Sequence, residues 1–362
     1  MRPALVLGVL AATACAGGDG DPERSAGPPG RPPAPTSGKE SHVFEVKSSD
    51  DLPRLRIEYM RLWSRGTAGE LRVTIAPGAG PLVGTGWSLE PEHPGEGDAL
   101  IDVIITGAGG VLPLPDRVFA HSLTMEGVVF TGGRSGPSEI WIASGLTLRR
   151  SMLVDARLTD PVFQGGLIEV FADGGRRTGA SVTIEDCWFV RNFQAERPAR
   201  MLDLNQRGED AGYFDKVRVA RSAFLGNAFA ADLAIQYASS VSVEDSLFFR
   251  SWTGPGSELF CSHCEAVVVT GSTFAVEKAE QVAALEKTQP VLLQGSRLFA
   301  RGAGAGAALP PALDPQTAGQ MAERVGFPGE AAATEAITSA VAQPLRVPPA
   351  EAFARLRAAA GG

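Results

Sequence analysis

Residues 240–249 read SVSVEDSLFF, and the chain says nearly the same thing seven times. The related stretches are SLTMEGVVF from Ser122, GLTLRRSML from Gly145, SVTIEDCWF from Ser181, KVRVARSAF from Lys216, AVVVTGSTF from Ala266 and PVLLQGSRL from Pro290. Their first aliphatics fall at Leu123, Leu146, Val182, Val217, Val241, Val267 and Val291, in steps of 23, 36, 35, 24, 26 and 24 residues. The base period is therefore near 24, and two consecutive units each carry about a dozen extra residues.

Within a unit, two aliphatics flank one polar or small residue, as in a strand with one buried face. A small residue follows, then a Phe or Leu two positions on. A second aliphatic pair precedes most units: Ile140 and Ile142, Ile168 and Val170, Leu202 and Leu204, Leu233 and Ile235, Leu259 and Cys261, Ala283 and Leu285. A unit this short cannot bury its apolar face alone, but stacked units share one continuous core. Hairpin signals, which an up-and-down sandwich would need between its strands, do not punctuate the repeat. The V-x-V-x-x-S-x-F grammar resembles the right-handed parallel β-helix of the pectate-lyase-like superfamily, an all-β solenoid, over residues 68–300. The resemblance speaks to fold. The paired Asp runs with Gly-His-Gly of polygalacturonases are absent, and only loose ingredients of a pectate-lyase Arg base beside a calcium cage are present.

A solenoid end exposes unpaired backbone and needs a cover. Residues 41–67 are read as that cap, with a helix over DDLPRLRIEYMRLWSRG: Pro53 lies in the first turn, Leu52, Leu55, Tyr59 and Leu62 recur at helical spacing, and Gly66 stops it. RVTIAPG from Arg72 is then expected as the first strand. Residues 301–362, rich in Ala, Gly and Pro, read as a weakly helical tail or second cap.

Residues 1–14, MRPALVLGVLAATA, have a positive start at Arg2, a short apolar run and small residues before Cys15, the form of a secretory signal too short to span a bilayer. Ala-Thr-Ala-Cys resembles the lipobox of bacterial lipoproteins, with Ala12 where a larger aliphatic is usual. That resemblance implies lipidation of Cys15 and a cell-envelope location in the outer membrane or at the cell surface. Without lipidation, secretion is implied. Residues 15–40 then read as anchor Cys and Pro/Gly-rich tether.

Lys plus Arg total 33 against 41 Asp plus Glu, a formal charge of -8, and no basic cluster is present that would neutralise phosphates. Nucleic acid is excluded as an expected partner.

Cys187 occupies the small position filled elsewhere by Ser151, Ser222, Ser246, Ser272 and Ser296, and so reads as a packed core group. Cys261 and Cys264 make C-S-H-C around His263. Zinc would need ligands that no second cluster supplies, and a redox C-x-x-C ordinarily opens a helix. A tight disulfide and two free thiols both remain open. The four histidines, His42, His93, His121 and His263, form no nucleophile or metal pattern.

If the preceding strand pairs stack in register, their middle residues form one outward ladder: Trp141, Glu169, Asp203, Ala234, Phe260, Ala284. Glu169 and Asp203 would then be neighbours about 4.8 Å apart, flanked by Asn205, Asp232, Gln236 and Glu258. Such a separation suits a retaining glycosidase pair, and outward aromatics suit sugar rings. The insertions FADGGRRTGA from Phe171 and NQRGEDAGYFD from Asn205 protrude beside that pair, where Arg176, Arg177, Arg200 or Arg207 could bind a uronate or neutralise the acids.

The expectation is a polysaccharide-binding or scaffold lipoprotein without catalysis. Its saccharide face would comprise Trp141, Asn205, Arg207, Asp232, Gln236 and Phe260. The alternative is a polysaccharide lyase or glycoside hydrolase with Glu169 and Asp203 as its acidic centre. No cofactor is required; outward carboxylates would also accommodate calcium.

Overall fold

The computed structural model describes residues 40–76, 82, 86–91, 101–154, 156–158, 165–172, 179–190, 192–194, 200–205, 213–249, 256–276, 281–288 and 292–300. The signal-like segment, Cys15, the tether and residues 301–362 lie outside them.

The chain winds as a parallel β-solenoid. Each coil presents three faces. The second face carries the quoted motif: Ala180–Glu185, Phe214–Ala220, Ala238–Glu244 and Ala266–Thr270 pair in parallel, with Val182, Val217, Val241 and Val267 in one row. The first face carries the preceding pair: Gly166–Ala172, Arg200–Asn205, Ala231–Gln236 and Ser257–Ser262. Short strands such as Trp188–Val190, Ala223–Leu225 and Leu247–Phe249 make the third. Long strands such as Arg117–Thr131 run around the corners and join the faces into one 22-stranded ladder.

Two side-chain columns explain the motif's second half. Ser222 Oγ accepts the Cys187 amide at 3.1 Å, Ser246 Oγ accepts the Ser222 amide at 3.2 Å, and Ser272 Oγ accepts the Ser246 amide at 3.1 Å. Each hydroxyl also donates to a carbonyl two residues back, so a sharp corner keeps its buried backbone satisfied. The residue before each of these is left-handed at Arg150, Asp186, Arg221, Asp245 and Gly271. Two positions after each serine-type residue, Phe189, Phe224, Phe248 and Phe274 stack with centroids 4.6, 4.6 and 4.9 Å apart. Cys187 is buried in the serine column, which pushes its thiol up to about 12.

A third column escapes the sequence reading. After the third face, Asn192 Oδ1 accepts the Ala156 amide at 2.9 Å and Asn227 Oδ1 accepts the Asn192 amide at 3.0 Å. Their amide groups donate to the carbonyls of Leu153 and Phe189. Buried asparagines thus close another turn.

The helix Asp51–Trp63 buries Leu52, Leu55, Tyr59 and Leu62, and Tyr59 donates to the Phe119 carbonyl at 2.8 Å. Gly66, left-handed at φ 61°, follows it. The strand containing RVTI, Gly69–Ile75, is not the first: Glu40–Val46 precedes the helix and pairs with it in parallel. Its pattern is hidden because two positions of the more buried set are polar. Glu40 pairs with Arg65, and His42 contacts Glu40 and lies 3.8 Å from Glu58.

Candidate functional site

The expected acidic pair exists: Glu169 lies opposite Asp203, Asp203 opposite Ala234, and Ala234 opposite Phe260. Trp141 does not belong to that row. It stands opposite Phe171, and the residue beside Glu169 is Glu139, itself opposite Arg117. A slip of two residues keeps every inward side chain inward, so hydrophobic alternation cannot distinguish the two registers. The length of the corner decides: Ala143, Ser144 and Gly145 alone separate Ile142 from Leu146. Trp141 instead sits between Phe119, 5.4 Å away and parallel, and Phe171, 4.6 Å away.

The pair is also far less open than an outward position implies. Asp203 is 1% exposed and Glu169 8%. Arg200 reaches both Asp203 oxygens at 3.2 and 3.0 Å, Gln236 donates to Oδ1 at 3.1 Å, and the Gly166 amide donates to Glu169 at 3.1 Å. The Arg200 guanidinium lies 4.5 Å above the half-buried Phe260 ring. Burial raises the Asp203 carboxyl above the ordinary aspartate value even though Arg200 and Gln236 favour its anion. Asp232 is buried and accepts from Asn227 at 2.9 Å. Asn205 and Gln236 are half-buried; Arg176, Arg177 and Arg207 lie outside the described residues. Among the described residues, no three His, Cys, Asp or Glu side chains are grouped to hold a metal ion. What this row supplies chemically is a paired, desolvated carboxylate with both oxygens occupied.

The neighbouring corner, between the first and second faces, is different. Both long insertions emerge there. So do Tyr213, Tyr237, His263 and Lys287, each four residues before the first valine of its repeat (Val217, Val241, Val267, Val291). The backbone stacks them coil on coil: Phe214 N donates to the Tyr237 carbonyl, Tyr237 N to that of Ser262, and His263 N to that of Glu286. Tyr213 and Tyr237 are 38% and 37% exposed, and the Tyr237 and His263 rings stack at 4.5 Å and 13°. The Ser262 hydroxyl, 2.9 Å from His263 Nδ1, fixes the imidazole. Tyr237, His263 and Lys287 have φ of 57°, 54° and 46°. At Tyr237 this one residue separates the two strands, and a side chain in that backbone region costs on the order of 1–2 kcal/mol. Comparing equivalent positions before the valines reveals this column in the sequence; attention to the strand centres passes it by.

Further along the corner, His121 Nδ1 lies 2.9 Å from Asp102, which also accepts from Ser122 at 2.6 Å. Ser144 donates to the His121 carbonyl, and its hydroxyl lies 3.5 Å from the same Nδ1. A serine nucleophile would have to meet the other ring nitrogen, so this cluster is not a Ser-His-Asp relay.

No protein-family model and no curated protein matches the chain in sequence. Among solved structures it is similar to a pectate lyase from a Bacillus species in complex with trigalacturonate, with TM-score 0.46, 13% identity, and coverage of 80% of this chain and 92% of that one.

Proposed function

We propose that this chain is a cell-surface lipoprotein whose solenoid binds polysaccharide without cleaving it, and that the corner column of Tyr213, Tyr237, His263 and Lys287 is the contact surface. The observation that carries the reading is the Tyr237–His263 stack, Tyr237 exposed and His263 half-buried, set one coil apart and held in left-handed backbone. The stack covers one face of each ring, so the column presents ring edges together with the tyrosine hydroxyls and the imidazole, groups that can hydrogen-bond sugar hydroxyls. Lys287 adds a cation at one end.

The acidic row supports the non-catalytic side of the proposal. A general acid or nucleophile needs an accessible oxygen, and both oxygens of Asp203 are committed to Arg200. Phe260 is half-buried beneath Arg200, and Trp141 is stacked between Phe119 and Phe171. This places the expected first-face aromatics under or between neighbouring side chains. Anchoring rests on Cys15 and the lipobox resemblance, and is tested by lipid labelling of wild type against Cys15→Ser.

Titration calorimetry on neutral and acidic polysaccharides, with and without calcium, tests binding. Saturable binding that weakens in Tyr237→Ala supports the proposal. Binding unaffected by that change, or absent throughout, removes it.

A further inference from the structure

The corner that displays His263 is bracketed by two thiols. Cys261 lies at the end of Ser257–Ser262, and Cys264 follows the left-handed His263. Both are free and buried, at 0% and 2% exposure. The Cys264 sulfur donates to the carbonyls of Ile235 at 3.7 Å and Ser262 at 3.6 Å, and Ile235 stands opposite Cys261 in the ladder, so both thiols lie at one corner. Thr288 ties the turn from the next coil, accepting from the Cys264 amide at 3.1 Å and donating to the Cys261 carbonyl at 3.2 Å. Cys187 differs: it lies in the serine column, and its sulfur donates to the Glu185 carbonyl.

We propose that Cys261 and Cys264 are a disulfide site, closed while the corner folds, and that the bond fixes His263 against Tyr237. The second clause rests on the saccharide-binding reading; the first does not. The oxidant is a small-molecule disulfide such as oxidised glutathione. One protein thiolate attacks a sulfur of that disulfide and expels one glutathione thiolate, leaving a mixed disulfide. The second protein thiol attacks the protein sulfur and expels the other. Two S–H bonds and one S–S bond are lost, one protein S–S bond forms, and the two protons and two electrons leave on two glutathione thiols. The pair is asymmetric: hydrogen bonding from Cys261 lowers the Cys264 thiol, while that bond and burial raise Cys261.

Burial dictates the test. The full chain is unfolded with reductant, refolded over graded ratios of reduced to oxidised glutathione, quenched in acid, unfolded, alkylated and mapped by peptide mass spectrometry. The expected product is a segment carrying Cys261 and Cys264 unalkylated and lighter by two hydrogens, with Cys187 alkylated; Cys264→Ser leaves Cys261 alkylated. Alkylation of both Cys261 and Cys264 at the most oxidising ratio overturns the site, as does a bond from either to Cys187 or Cys15. Saccharide affinity is then compared for the oxidised and reduced forms, with oxidation expected to tighten binding severalfold. Equal affinities overturn the coupling and leave the bond standing. No binding by either form overturns the saccharide reading, again without touching the bond.

Discussion

Two of the aromatic columns that climb this solenoid differ in kind. Phe189, Phe224, Phe248 and Phe274 stack inside it, buried. Tyr213, Tyr237 and His263 climb the corner between the first and second faces, the tyrosines partly exposed and the last two residues in left-handed backbone. The inner column repeats with little variation because neighbouring coils need rings of one size in one place. The outer column varies and ends in Lys287. The repeat therefore marks what holds the coils together, and departures from it mark where the surface is free to recognise something.

The contrast can be broken experimentally. The largest effect is expected from Phe224→Ala, which removes a ring stacked on both sides. Such truncations cost about 3–5 kcal/mol, read as a lower urea midpoint, with saccharide binding retained under native conditions. Ser222→Ala leaves the buried Cys187 amide without its 3.1 Å acceptor, and the expected loss is about 1–3 kcal/mol. A stability loss at Tyr237 as large as at Phe224 would erase the distinction between the columns.

Tyr237→Ala is expected to weaken saccharide binding about tenfold, equivalent to about 1.4 kcal/mol. Tyr237→Gly should lose binding similarly while global stability changes by less than about 1 kcal/mol, since glycine accepts φ near 57° without steric cost.

The smallest effect is expected from Asp203→Asn at neutral pH, because burial already disfavours the Asp203 anion and the amide oxygen can still accept from Arg200. Its pH dependence has a definite sign. A carboxyl whose folded pKa is raised holds its proton more tightly in the native state, so its contribution to stability falls as pH rises from the unfolded to the folded value. Glu185 and Glu244, lowered chiefly by hydrogen bonds from Arg221 and Arg218 respectively, act oppositely: their contribution is present above the unfolded value and is lost as pH falls. Subtracting the urea-derived stability profile of Asp203→Asn from that of wild type should isolate the Asp203 slope. A slope of the reverse sign would show that Arg200 outweighs desolvation.

The solenoid was legible because strand alternation and period are written in the aliphatics, and the serine column could be lined up by eye. Other features were not. Register on the first face hung on corner length, which placed Trp141 with Phe171 rather than with Glu169. Burial on that face depended on side chains reaching across from Arg200, Gln236 and Asn227, so Asp203 and Asp232 read as wet although they are not. The initial strand Glu40–Val46 was hidden by its polar inner positions, and the Asn192–Asn227 column because only two coils show it. Tyr213, Tyr237, His263 and Lys287 were legible, each four residues before the first valine of its repeat.

The most direct measurement is to incubate the purified chain and its Tyr237→Ala, His263→Ala variant with the polysaccharide that binds best, recording bound ligand together with reducing ends and unsaturated products. Wild type is expected to bind, the variant to lose binding, and neither to release products. Products that disappear in Glu169→Gln, Asp203→Asn, with binding indifferent to Tyr237 and His263, would contradict this and return the chemistry to the acidic row.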